Sequence, residues 1–170
     1  MTAPSATDIR EVWAGELQPI KPELVDPRAP AEIRDFLTTV GLPRSDAPTT
    51  GFLRDRPLPV YTRLGRLHLQ VAESLDRYPF GVDLEDGRLT LAWAGPAAPM
   101  FVNSGLAEFV YCTGSFERDV RAYVLAAAPS AKRRRRAVDR FRRMLADRDP
   151  AAVADATSYW PGMLTNVLEG

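Results

Sequence analysis

The chain has 170 residues, 45% of them hydrophobic, with 22 basic and 22 acidic side chains and a formal net charge of zero. Such a length suits one domain with a core of its own. A neutral balance excludes whole-molecule attraction to nucleic acid or membranes as the basis of function, and a single cysteine, Cys112, excludes an intrachain disulfide.

The balance is uneven along the chain. Residues 1–128 carry 13 basic and 17 acidic side chains, whereas residues 129–170 carry 9 and 5. The start, "MTAPSATDIREVW", lacks the basic and apolar blocks of a secretory leader. No apolar run approaches the roughly 20 residues of a membrane span. The expectation is a cytoplasmic protein.

Residues 1–30 read as an irregular Pro-rich segment, because interior prolines in "LQPIKPELVDPRAP" forbid a long helix. A short helix is expected at 8–14, capped by Thr7, with Ile9, Val12 and Trp13 on its apolar face. The main domain is expected over 31–170. Its first helix, 31–40, aligns Ile33, Phe36, Leu37 and Val40, and Gly41 and Pro43 stop it. Residues 42–58 read as loop.

From Pro59 the period becomes two. The runs "PVYTRL", "RLHLQVAES", "YPFGVDL" and "RLTLAWA" alternate apolar and polar side chains, and "MFVN" adds a fifth strand. Alternation of this kind marks antiparallel strands with one covered face. Asp86-Gly87 signals a hairpin. A long helix then tracks Leu106, Phe109, Val110, Thr113, Phe116, Val120, Tyr123 and Val124, with a kink or break allowed at Gly114 and a stop at Pro129. A second helix over 131–148 buries Ala137, Val138, Phe141 and Leu145, and Asp149-Pro150 breaks it. The last begins at Thr157 or Ser158 and turns Trp160, Leu164, Val167 and Leu168 inward. The class is therefore α+β: a largely antiparallel sheet of four to six strands, flanked by helices, with a helical C-terminal third.

The chemistry-bearing residues are sparse. His68, the sole histidine, sits in a strand opposite the apolar face, and no serine with a nucleophile signature lies beside it. One His and one Cys do not make a zinc site. Asp83, Glu85 and Asp86 lack the loop spacing of a calcium site and read as a solvated hairpin tip. Cys112 reads as a small buried residue. The basic run Lys132–Arg136, with Arg140, Arg142 and Arg143, reads as a solvated helix face or as partners for the acidic body, ahead of an acidic protein partner or direct nucleic acid binding. In "MFVNSGLAEFV", Asn103 or Ser104 is expected to cap the following helix. No catalytic residue, cofactor, metal or small-molecule substrate is expected.

Four segments carry a family resemblance: "FLTTVGLPR" (36–44), "GVDLEDGRLTLA" (81–92), "FVNSGLAEFV" (101–110) and "DPAAVADATSYWPGMLTNVLE" (149–169). Together they resemble the SUKH superfamily, most closely its fourth group of bacterial immunity proteins, over about residues 31–168. The family often has "FVNSSL" at the junction, where this chain has Gly105 for the second serine. The resemblance implies a non-catalytic protein that binds and blocks a cognate polymorphic toxin, often a nucleic-acid-targeting enzyme, in the producing cell. An intracellular adaptor of the same fold is the runner-up. Acidic side chains suited to a cationic toxin cleft are Asp83, Glu85 and Asp86 in the hairpin and Asp46 and Asp55 in the long loop.

Overall fold

The structure is a computed structural model that describes residues 3–47, 49–93, 97–121 and 130–169. A six-stranded antiparallel sheet is built on one long strand. That strand, β5 (Arg66–Ser74), pairs along one edge with β6 (Pro79–Asp83). Its other edge is shared by β3 (Thr50–Phe52), at Ala72–Ser74, and β4 (Val60–Arg63), at Arg66–Leu69. Beyond β6 lie β7 (Leu89–Leu91) and β8 (Met100–Asn103). The five strands expected from the alternation are all present. The sixth, β3, falls inside the stretch expected to be loop.

The alternation sorts the two faces. Leu69, Val71, Phe80, Val82, Leu89, Leu91 and Val102 are buried toward the helices. Each fully buried Leu or Phe there contributes about 1.5–3 kcal/mol relative to exposure. A register shift between Gln70 and Ala72 inserts an extra residue, so Val71 and Ala72 are both fully buried. The opposite face carries Tyr61, His68, Gly81 and Asp83. His68 pairs across the strands with Tyr61 and with Asp83. Trp93 lies past the end of β7 and is 38% exposed, off the buried face expected for it.

The N-terminal segment shares this core. Helix α1 spans Ala6–Val12 and is capped by Ser5 rather than Thr7. The Ser5 hydroxyl accepts the Asp8 N–H and the Asp8 carboxylate accepts the Ser5 N–H. Two short strands, β1 (Leu17–Gln18) and β2 (Leu42–Pro43), form a separate ribbon. Ile9, Leu17, Ile20, Val25 and Ala29 join the same buried cluster as the sheet. Helix α2 (Ala31–Thr39) ends as expected at Gly41, whose φ of +87° is left-handed. Gly41 has a second constraint: the Gln18 carbonyl occupies the space a Cβ would need.

Helix α3 (Leu106–Phe116) crosses the sheet, with Phe109 against Phe80 at 5.2 Å and Phe52 at 6.0 Å. It passes through Gly114 without breaking and loosens into a π-helical turn at Glu117–Arg121. The bare Cα of Gly114 lets α1 pack close: a Cβ there would overlap Val12 and meet the Trp13 Nε1 at 2.7 Å. Trp13 uses that approach to donate its indole N–H to the Val110 carbonyl at 2.9 Å. The expected contacts of Tyr123 and Val124 and the stop at Pro129 lie outside the described residues. Helix α4 (Ala131–Arg148) is capped by Ser130 and buries Ala137, Val138, Phe141 and Leu145, the stripe read from the sequence. A four-residue helix, α5 (Ala151–Ala154), leads to α6 (Tyr159–Glu169). On α6, Trp160 and Leu164 are buried and Leu168 is exposed, not turned inward.

Candidate functional site

The junction from β8 to α3 is built differently from the expected capped turn. The first residue before α3 is Gly105, in extended conformation, and no side chain caps the helix from there. Asn103 and Ser104 instead face Asp149, just beyond α4. The Asp149 carboxylate accepts the Asn103 Nδ2 at 2.9 Å, the Ser104 N–H at 2.8 Å and the Ser104 hydroxyl at 2.7 Å. Trp160 donates its indole N–H to the Asn103 Oδ1 at 3.0 Å. Asn103 and Asp149 are wholly buried. Every strong donor in this group meets an acceptor, the condition under which a buried polar network adds to stability. Trp160 also packs on Phe116 and Phe141, and its neighbour Tyr159 meets Phe80 edge-on at 5.4 Å. The network thus ties β8, α4 and α6 together. Asn103 and Asp149 are sealed from solvent while Ser104 stands at the surface, and the network serves the fold.

The hairpin acids form a second cluster, on the opposite face of the sheet. Arg66 lies among all three: its guanidinium is 2.8 Å from Asp83, 3.2 Å from Glu85 and 3.0 Å from Asp86. Asp83 is buried at the end of β6, so only Glu85 and Asp86 stand at a solvated tip. Arg66 and backbone bonding hold the Asp86 carboxyl below the usual range, although burial opposes this. The guanidinium sits where a cation bound by these carboxylates would have to sit. His68, expected at least partly open to solvent, is 3% exposed. Its ring stacks on Tyr61 at 5.3 Å, its Nε2 is 3.7 Å from Asp83, and its Nδ1 is 3.2 Å from the Arg66 carbonyl. Burial pushes the Tyr61 hydroxyl up to about 12. Its oxygen rests against Gly81 and has no hydrogen-bond partner among the described residues. This is a packed ion-pair cluster without an exposed nucleophile.

Asp46 and Asp55 lie at the other end of β5. They border an open groove of about 820 Å³ with Phe52, Arg54, Glu73, Leu75 and Arg77. Asp46 is committed: its Oδ1 accepts the Phe52 N–H at 3.1 Å and pairs with Arg54 at 2.9 Å. Glu73 is held by Arg56 and Arg77, each at 2.9 Å. Among the described residues, Asp55 accepts only the neutral Gln18 amide, at 3.0 Å. Leu75, on the rim, is 75% exposed. The five acids therefore fall into two groups at opposite ends of β5, separated by about 26 Å for a nine-residue strand. Sequence reading overlooked Arg66 and Leu75. Cross-strand pairing of Tyr61 with His68 could have been anticipated from the hairpin Leu64-Gly65, whose two residues have φ of +48° and +80°.

The family model described as SUKH-4 immunity protein matches residues 10–166. The chain belongs to that family. The SUKH-4 match begins within α1 and ends within α6, so it takes in the N-terminal segment as well as the sheet and the C-terminal helices. The resemblance in the sequence starts only near residue 31, and the shared core explains the earlier start. The SUKH-4 segments quoted above supply four of the network's residues from far apart in the chain: Asn103, Ser104, Asp149 and Trp160. No curated protein and no solved structure matches the chain. Among the described residues, no helix is long and apolar enough to cross a membrane.

Proposed function

We propose that this SUKH-4 protein binds a cognate toxin in the cytoplasm of the cell that makes it and blocks the toxin by occlusion, with no turnover of its own. The observation that carries this reading is the family match across residues 10–166. Two features of the molecule support it. The buried carboxylates Asp149 and Asp83 are engaged in holding elements together. The open groove at the β3 end of the sheet offers what a protein partner needs: an exposed apolar side chain, Leu75, beside an acid, Asp55, that has no cationic partner among the described residues.

The groove, with Asp46 and Asp55, is the surface proposed to meet the toxin. Glu85 and Asp86 form a secondary contact whose charge is partly neutralised by Arg66, and Asp83 supports it from within. A toxin that targets nucleic acid would present a cationic cleft, which Asp55 and Asp46 suit. The test is co-expression with the toxin domain encoded beside this gene. Rescue of growth and co-purification are expected. Survival of toxin activity with no complex formed would refute the assignment.

A further inference from the structure

Many arginines in the body of the protein are held by neighbouring groups, some by a carboxylate and others, such as Arg34 and Arg44, by backbone carbonyls. Arg54, Arg56, Arg66, Arg77, Arg118 and Arg121 each hold a carboxylate within 2.9 Å. Helix α4 behaves differently. Lys132, Arg133, Arg135, Arg136, Arg142 and Arg143 are all exposed, and none has an ion pair among the described residues. Of the two expectations for this run, the solvated helix face holds for these six and pairing with the acidic body does not.

Their placement follows from the helical period. With Ala137, Val138, Phe141 and Leu145 turned into the core, Lys132, Arg136 and Arg143 fall along the line directly opposite, at i, i+4 and i+11. Arg133, Arg135 and Arg142 flank that line. The stripe runs about 17 Å at 1.5 Å per residue, with Asp139 the acid interrupting it. Cations in the first turn of a helix oppose its dipole, so an external anion is favoured there.

The composition of the face selects the kind of anion. A protein partner needs an apolar or aromatic anchor at the centre of its interface, yet among the described residues the exposed large hydrophobics, Leu64, Leu75, Trp93 and Leu168, are all on other elements. Single-stranded nucleic acid needs an aromatic platform for its bases, and the exposed face of α4 has none. What remains is dense guanidinium charge at regular spacing, which suits a closely spaced row of phosphates. We propose that the outer face of α4 binds the phosphate backbone of a nucleic-acid duplex without reading its sequence. This surface is separate from the groove proposed for the toxin.

The test is titration of the full chain with a 30-base-pair DNA duplex of arbitrary sequence, followed by fluorescence anisotropy across a series of salt concentrations. Micromolar binding is expected at low salt. With about four phosphates neutralised, the log–log salt slope should be about −3.6. Lys132→Gln/Arg136→Gln/Arg143→Gln should weaken binding at least tenfold and flatten the slope, with circular dichroism and Tm retained. Arg77→Gln, a cation on another surface, should leave both unchanged. If charge neutralisation on α4 unfolds the chain, single substitutions Arg136→Gln and Arg143→Gln provide the same readout in smaller steps. Absence of binding at low salt would overturn the proposal. So would a slope untouched by these substitutions, or polyglutamate of matched charge binding as tightly as the duplex.

Discussion

Asp149 grips Ser104 twice, through its backbone N–H at 2.8 Å and its hydroxyl at 2.7 Å, across 45 residues of chain. The bond replaces a local helix cap with a tertiary clasp between β8 and the end of α4. The consequence is quantitative. Loss of a cap costs about 1 kcal/mol, whereas loss of a part-buried bond to a carboxylate, as here, costs about 2 kcal/mol. Ser104→Ala should therefore lower stability by about 2 kcal/mol in urea denaturation. Asp149→Ala strands the Asn103 amide and the Ser104 N–H together and should cost about 3 kcal/mol or more. Equal, small losses for the two variants would show that the clasp contributes little.

Gly114 is a packing residue. Gly→Ala inside a helix ordinarily gains stability. Here the added methyl overlaps Val12 and presses on the Trp13 indole, and overpacking of this kind costs about 1–3 kcal/mol. Gly114→Ala is expected to destabilise, and to shift Trp13 fluorescence as its bond to Val110 opens. Val12→Ala in the same chain should recover part of the loss.

Glu108 gives a pH signature. Burial raises its carboxyl above the ordinary range, and nearby Asp149 adds to the rise, while its own backbone N–H opposes both. A raised carboxyl binds its proton more tightly in the folded chain. Its contribution to stability is present below the ordinary value of 4.5 and is lost as pH climbs through the raised one. Glu108→Gln should thus have a higher Tm than the parent at pH 7. The advantage should shrink toward pH 4, as scanning calorimetry at both values would show.

Cys112 should be silent. It is fully buried, burial drives its thiol up, and Asp149 drives it further. The thiolate is the reactive form. A disulfide exchange reagent should leave the native protein unmodified over hours and react with one thiol per chain in urea. Fast reaction in buffer would indicate opening around α3.

The groove carries the toxin prediction. Asp55→Lys breaks one bond to Gln18 and reverses a charge on the rim, so affinity for the toxin should fall at least tenfold with little change in Tm. Glu85→Lys, at the far end of β5, should have a smaller effect. The reverse ranking, measured by titration calorimetry, would move the contact surface to the hairpin.

Much of the sheet was legible because alternation is a local property. Arg66–Ser74 and Pro79–Asp83 emerge where period two appears in the chain. Thr50–Phe52 did not, since three residues are too few to show a period and the segment is ordered by pairing with Ala72–Ser74. Ser104 was misassigned for a related reason. Its preference for helix starts reflects a need for a nearby partner, and Asp149 meets that need from a distance. Of the hairpin acids, Glu85 and Asp86 stand at the tip as expected and Asp83 is buried in β6, while Arg66 among them went unseen because it enters from the neighbouring strand.

The amino-acid order is enough to establish the α+β class, the strand-rich middle, the buried stripe of α4 and the family, because each rests on short-range pattern or on motifs contiguous in the chain. It leaves open which polar residues serve the fold and which face solvent. That division is made by contacts spanning 46 residues for Asn103 and Asp149, 57 for Asn103 and Trp160, and 97 for Trp13 and Val110. Burial and partner choice depend on what the folded chain brings alongside, and for these residues that is a segment far away in sequence.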